Sequence, residues 1–355
     1  MLPVPILLPN GTIFDHLLDE EHQLAIQGAA AANRPLLVRG EPGLGKSQLA
    51  YAAASLLGRK FISFTISATT ESQDLLWTFD AVQRLAESQV AANTLRGSNE
   101  SNNESNPSQS PEAKLREAID IKKFIHPGPL WWAIDWDSAN HANRDGLASA
   151  PTWVSTKEDS WTPDQGLVIL IDEIDKAESS VPNGLLEVFG ARQLQPLGWS
   201  KPIVSKPNTK SPLVMITTNE ERMLPTAFLR RCFVLELELL PCVDSLGGEV
   251  QGEKRQKFLD YFVELGKAHF KETLPLKVYE KTAEMLLEDR AQAFANQDVH
   301  KPGPAEYIDL LCALQAWDSV GLTKTKSTER STEDLLALCG KLEKFVFRKN
   351  SRALR

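Results

Sequence analysis

The sequence predicts an α/β protein, a three-layer core around a parallel sheet followed by a small all-α domain. Three observations carry this. Short apolar runs alternate with helical patterns through the first two thirds of the chain, as parallel strands joined by crossover helices require. One run, Leu-Val-Ile-Leu-Ile at 167–171, is the unbroken aliphatic pattern of a strand buried on both faces. Beyond Pro241 only helical periodicity remains.

The division falls at residue 242, giving a core over 1–242 and a helical domain over 243–355, with Gly247, Gly248 and Gly252 as a hinge-like linker. Residues 10–19 read as a loop, and 20–32 as a helix stopped by Asn33-Arg34-Pro35. A strand over 36–38 precedes an Ala/Leu-rich helix ended by Gly58, and 61–66 reads as a second strand. Ser67 to Glu71 would cap a segment carrying Leu75, Leu76, Trp77, Phe79, Val82 and Leu85. That segment reads as an inserted helical element, facing a pore in an assembly or packing on the core.

Residues 97–111 lack any apolar side chain and read as a disordered loop, unable to offset their ordering entropy. A helix is expected over 112–124. Trp131, Trp132, Trp136, Trp153 and Trp161 then fall within a Trp-rich insertion near 131–165. They are either a recognition surface or buried aromatic packing. Residues 174–177 and 182–189 start and form a helix, 192–204 a hairpin-like excursion, and 213–219 and 233–239 further strands. Helices over 253–270, 276–294, 304–317 and 332–347 complete the chain.

The chemistry concentrates at Gly40-Glu41-Pro42-Gly43-Leu44-Gly45-Lys46-Ser47. The pattern G-x-x-x-x-G-K-[ST] between a strand and a helix is a phosphate-binding loop. Its glycines let backbone N–H groups converge on an anion, and the helix start adds its positive end. Lys46 would reach the β- and γ-phosphates of ATP and Ser47 would hold Mg2+, with Gln48 completing the candidate binding set. Asp172 and Glu173 end the 167–171 strand, where ligands bind in open α/β sheets. Asp172 would join Ser47 around Mg2+, and Glu173 would polarise the attacking water. Asn219 ends another strand and could orient that water, or simply form a turn. Arg230 and Arg231 precede an edge strand, either solvated or placed to reach a neighbour's γ-phosphate. His300 to Pro304 gives the third helix of the second domain an anion-facing start.

With 42% hydrophobic and 24% charged residues, the chain has the composition of a soluble globular protein. No run reaches a membrane span, and the proline-broken N-terminus lacks a basic signal region. The four cysteines have no C-x-x-C spacing and the six histidines are scattered, against a disulfide framework or zinc site and in favour of a reducing cytoplasm. A net charge of −8 argues against a broadly basic surface for nucleic acid, without excluding a local groove.

The order of phosphate loop, Asp-Glu strand, strand ending in Asn, Arg-Arg and helical lid resembles the AAA+ ATPases, and most nearly their MoxR branch. RPLLVRGEPGLGKSQLA (34–50), LLWTFDAVQRLAES (75–88), PGPLWWAIDW (127–136), GLVILIDEIDKAESSVPNGLLEVF (166–189) and MITTNEERMLPTAFLRRC (215–232) carry the likeness. The resemblance implies a P-loop NTPase core with a helical lid. Lys46 and Ser47 would belong to Walker A and Asp172 and Glu173 to Walker B, with Asn219 as sensor 1. Arg231 is implied as the arginine finger, with Arg230 second, and the Trp77 segment as a pore-facing insert. The family often opens its third lid helix with Ser-Pro-Arg; Gly303-Pro304-Ala305 stands here, leaving Lys301 as the substitute sensor 2. The implied function is a hexameric ring that hydrolyses ATP and remodels a protein partner, such as a von Willebrand A-domain protein. A nucleic-acid-stimulated or restriction-type NTPase, and a monomeric P-loop kinase, are the alternatives.

Overall fold

The computed structural model describes residues 1–8, 10–97, 116–143, 146, 148–154, 161–244, 248–298, 300–320 and 330–348. The polar loop expected over 97–111 lies, beyond Gly97, outside the described residues.

The chain opens with an antiparallel hairpin, β1 (Leu2–Leu7) and β2 (Ile13–Leu18), not with a loop over 10–19. Val4, Ile6, Phe14 and Leu18 turn inward. Pro3 and Pro5 are tolerated because β1 has a partner on one side only. Next comes α1 (Glu20–Ala32), whose start is capped by Asp19 accepting from the His22 N–H at 2.8 Å. Then follow β3 (Leu36–Gly40), α2 (Lys46–Leu57) and β4 (Lys60–Thr65).

The segment around Trp77, expected as an inserted helical element, is part strand and part helix. Trp77–Phe79 forms β5, which pairs antiparallel with β6 (Ile125–Pro127), and the helix, α3 (Ala81–Gly97), starts after it. Leu75 is buried, whereas Val82 and Leu85 of α3 are exposed. Of the helix expected over 112–124, residues 112–115 lie outside the described residues, and Ile121–Phe124 is a single 3-10 turn.

Two short helices follow, α4 (Pro129–Ile134) and α5 (Trp136–Ala142). Trp131 is wholly buried and Trp132 nearly so. The Trp131 indole donates to Ser138 Oγ at 2.8 Å. Trp136 lies 4.9 Å from both Trp132 and Trp161, and Lys60 Nζ sits within 5.0 Å of the Trp136 and Trp161 rings. Trp131 and Trp132 are thus buried in the core, while Trp136 and Trp161 are half-buried and packed against it.

The remaining elements of the core are β7 (Leu167–Asp172), α6 (Ser180–Ala191), the hairpin β8 (Gln193–Leu194) and β9 (Ile203–Val204), β10 (Leu213–Thr218), α7 (Thr226–Leu229) and β11 (Phe233–Leu237). The central sheet is parallel, in the order β11-β3-β10-β7-β4. Residues 167–171 and 213–218 are all buried, as strands covered on both faces must be. Helices α8 (Gly252–Phe270), α9 (Leu276–Ala295), α10 (Pro304–Ala316) and α11 (Thr332–Val346) pack around Phe258, Phe262, Tyr279, Tyr307 and Leu310. Gly266 permits the close crossing there, since a Cβ would lie 2.6 Å from the Tyr279 ring. Among the described residues no helix is long and apolar enough to cross a membrane.

Candidate functional site

The ends of β3, β7 and β10 meet at the carboxyl edge of the sheet, where a cleft of about 880 Å³ opens between the sheet, the β1–β2 hairpin and the helical bundle. Pro42 to Gln48 line its floor, with Asp172, Glu173, Thr217 and Asn219 alongside.

The loop between β3 and α2 needs its glycines. Gly40, Gly43 and Gly45 all have positive φ, and a Cβ on Gly40 would fall 2.4 Å from the Leu237 carbonyl oxygen. Lys46 begins α2 and folds back over the loop, its Nζ donating to the carbonyls of Gly40 and Glu41 at 2.8 Å each. Burial pulls its pKa below that of an ordinary lysine, opposed by the charges of Asp175, Asp172, Glu173 and Glu220.

Ser47 and Asp172, 125 residues apart in the chain, are in contact: Ser47 Oγ lies 3.0 Å from each oxygen of the Asp172 carboxylate. Thr217, on the neighbouring strand β10, also donates its hydroxyl to Asp172 and accepts the Glu173 N–H at 3.0 Å. Glu173 is held in the left-handed region, φ 61°, and its carboxylate pairs with Lys176 at 2.6 Å. Asp175 is buried beneath, its Oδ2 accepting the N–H groups of Asn219 at 3.2 Å and Glu221 at 3.1 Å, which fixes Asn219 at the cleft wall.

The other predicted residues stand apart. Arg230 and Arg231 precede the amino end of β11 and are exposed, with Arg231 Nη1 3.4 Å from the Ala227 carbonyl and the Arg230 carbonyl accepting from Arg34 at 3.1 Å. β11 runs parallel to β3, so a five-residue strand of roughly 16 Å separates them from the loop edge of the sheet. They cannot serve the cleft of their own chain. Lys301 faces Glu41, its Nζ 4.0 Å from the carboxylate and 4.3 Å over the Phe294 ring. The other side of Glu41 pairs with Arg290 Nη2 at 2.7 Å.

Sequence reasoning missed Thr217, Asp175, Lys176, Arg290 and His16. Thr217 lies two residues before Asn219 on the same strand end, a signal open to reading; Arg290 lies 249 residues from Glu41 and has no local signal. His16, on β2, enters the cleft opposite Gly45, and burial beside His269 and His22 lowers its pKa to about 3.

These groups suit a nucleoside triphosphate with a hard divalent cation. The loop glycines leave backbone room for phosphate oxygens, and one carboxylate with hydroxyls is a donor set that Mg2+ completes with water and phosphate oxygens. Among the described residues no group of three or more His, Cys, Asp or Glu side chains could hold a metal.

The family model described as AAA domain, dynein-related subfamily, matches residues 35–232, more than half of the chain. The chain belongs to this AAA family. The matched span of the AAA domain runs from the residue before β3 to the residue before β11 and holds the ends of β3, β7 and β10 that meet at the cleft. No curated protein matches the sequence. Among solved structures, the chain is similar to RuvB of Thermotoga maritima, a Holliday junction branch migration motor, at 16% identity over 91% of this chain and 67% of that one, TM-score 0.40. A point mutant of that RuvB gives 14% identity over 91% and 68%, TM-score 0.42. A candidate ATPase of Cytophaga hutchinsonii gives 14% identity over 92% and 79%, TM-score 0.35.

Proposed function

We propose that this AAA chain is a Mg2+-dependent ATPase of the MoxR type, working as a ring, hexameric by family likeness, that remodels or activates a protein partner such as a von Willebrand A-domain protein. The observation that carries the reading is the contact of Ser47 with both oxygens of Asp172 at 3.0 Å, beside the buried Lys46.

On this reading Lys46 exchanges the carbonyls of Gly40 and Glu41 for the β- and γ-phosphates. Ser47 and Asp172 would hold Mg2+, which would supply charge neutralisation for the phosphates, and the Thr217 hydroxyl steadies the Asp172 carboxylate. Glu173, once released from Lys176, takes the proton of the attacking water, and Asn219 orients that water. Arg231 serves the cleft of a neighbouring subunit, with Arg230 in reserve; its distance from its own loop supports a shared site. Lys301 is the candidate sensor 2.

The nucleic-acid alternative draws less support from the charges. Arg34, Arg59 and Arg192 each sit at or just after the C-terminus of a helix, where a cation complements the carbonyl end of the dipole. They need no polyanion to explain them.

The test is ATP binding and turnover in Glu173→Gln and Arg231→Ala. Glu173→Gln should bind ATP with near-normal affinity and lose on the order of a hundredfold or more in turnover; normal turnover would remove Glu173 as the base. Arg231→Ala should lose turnover with affinity retained, and particle mass with ATP should be a multiple of the chain. A monomer with full activity would favour the kinase reading, and stimulation by DNA with a steep salt dependence the motor reading.

A further inference from the structure

Glu41 is a junction with two ends. Its backbone carbonyl holds the Lys46 ammonium at 2.8 Å, and its carboxylate holds Arg290 of α9 at 2.7 Å. Arg290 in turn is one of the few buried cations of the fold, 4% exposed. Besides Glu41 it donates to the carbonyls of Pro302 at 2.9 Å and Lys301 at 3.4 Å, and its guanidinium lies 5.2 Å from the Phe294 ring. It thus pins the turn that leads into α10. The start of α10 touches the same loop again: the Ala305 N–H donates to the Gly43 carbonyl at 3.2 Å, and a Cβ on Gly43 would lie 3.2 Å from the Ala305 Cβ.

A buried guanidinium is held by its counter-ion and its carbonyl partners together, and it tolerates the loss of neither. The start of α10 is therefore tied to the phosphate loop twice, directly through Ala305 and, through Arg290, by the Glu41 side chain. The direction of that side chain depends on the Glu41 peptide, and the peptide is tied to Lys46. When Lys46 turns to a phosphate, the Glu41 carbonyl loses its partner and the peptide is free to rotate, carrying the carboxylate and Arg290 with it.

We infer that Glu41 reports occupancy of the phosphate loop to the helical domain through Arg290, which makes Glu41 and Arg290 positioning residues for the lid. The inference rests on the nucleotide reading above and adds a route to it: Lys46, Glu41, Arg290, the turn at 301–303, α10. Lys301, 4.0 Å from the other Glu41 oxygen, supports the same pair from outside. A plain staple between the two regions would loosen equally with and without nucleotide; a relay loses the difference between the two states.

The experiment is hydrogen exchange of the full chain with and without a slowly hydrolysed ATP analogue and Mg2+, read over residues 40–47 and 301–307. In the wild type both segments should slow on adding nucleotide. In Glu41→Gln the 40–47 segment should still respond while the 301–307 response falls at least threefold. Arg290→Gln should show the same uncoupling, and Arg290→Lys, which keeps the charge, should recover part of it. A full 301–307 response in Glu41→Gln, or equal responses in the two Arg290 variants, would overturn the relay. Silence at 40–47 in the wild type would instead overturn the nucleotide reading itself, and the relay with it.

Discussion

Two of the three histidines lining the cleft, His16 and His269, should make this protein lose stability in mild acid. Burial together with the His269 and His22 charges brings His16 down to about 3. Burial brings His269, stacked 4.4 Å from Phe14, to about 4, opposed by the Leu265 carbonyl and Asp15. An unfolded imidazole titrates near 6.5, so at pH 5 the unfolded chain binds two protons that the folded chain refuses. Protons bound to the unfolded state make stability fall as pH falls. The contribution is whole above pH 6.5 and shrinks as pH drops toward the folded values. Each histidine costs about 2 kcal/mol between pH 7 and pH 5, before allowance for the open side of the cleft, which leaves about 2–3 kcal/mol for the pair. Asp289 works the other way, its carboxyl raised to about 6 by burial, with Glu343 adding to the rise and Arg348 opposing it. Burial also lowers the His22 pKa, with Asp19 and Glu21 opposing, so the comparison is between the wild type and a His16→Gln/His269→Gln variant, which keeps both Asp289 and His22. Urea unfolding at pH 7 and pH 5 should show the wild type losing about 2–3 kcal/mol more than the variant. Equal losses would refute the claim that the two imidazoles are buried neutral.

Gly40→Ala should destabilise by about 2–4 kcal/mol in thermal or chemical unfolding, because its Cβ would meet the Leu237 carbonyl at 2.4 Å; a neutral result would mean that β11 gives way freely. Trp131→Ala, which removes a wholly buried indole from the core, should cost about 3–5 kcal/mol by denaturant titration, against less than about 1 kcal/mol for an exposed residue such as Val82 on α3. Lys176→Met should free Glu173 from its 2.6 Å partner. The pair is solvent-exposed and weak, so phosphate release should rise modestly; a fall would assign Lys176 a part in turnover instead.

The phosphate loop and its neighbours were legible because their signals are local. Glycine spacing, an apolar strand before and an alanine-rich helix after all lie within one stretch of chain, and the 167–171 run announces a doubly covered strand without reference to anything else. The four C-terminal helices were readable for the same reason: helical hydrogen bonds and amphipathic periodicity reach only four residues along the chain.

Pairing between distant segments was not legible. Residues 10–19 looked like a loop because β2 becomes a strand only against β1, a partner interrupted by Pro3 and Pro5. Trp77 joins a sheet, not a helix, because Pro127 and Ile125 arrive beside it from far along the chain. The tryptophans could have been surface or core; Trp131 and Trp132 are core, and Trp136, Trp153 and Trp161 are half-buried.

By itself, then, the sequence determined which local shapes the backbone takes and that a P-loop motif and an acidic strand end are present. Tertiary structure alone decided that Thr217 steadies Asp172, that Glu173 is tied to Lys176, that Arg230 and Arg231 stand away from their own cleft, and that Arg290 meets Glu41 across 249 residues. The physical reason is common to all four. A propensity is a property of a few consecutive residues, whereas an ion pair or a shared hydroxyl depends on where the packed sheet and helices bring the ends of distant elements together.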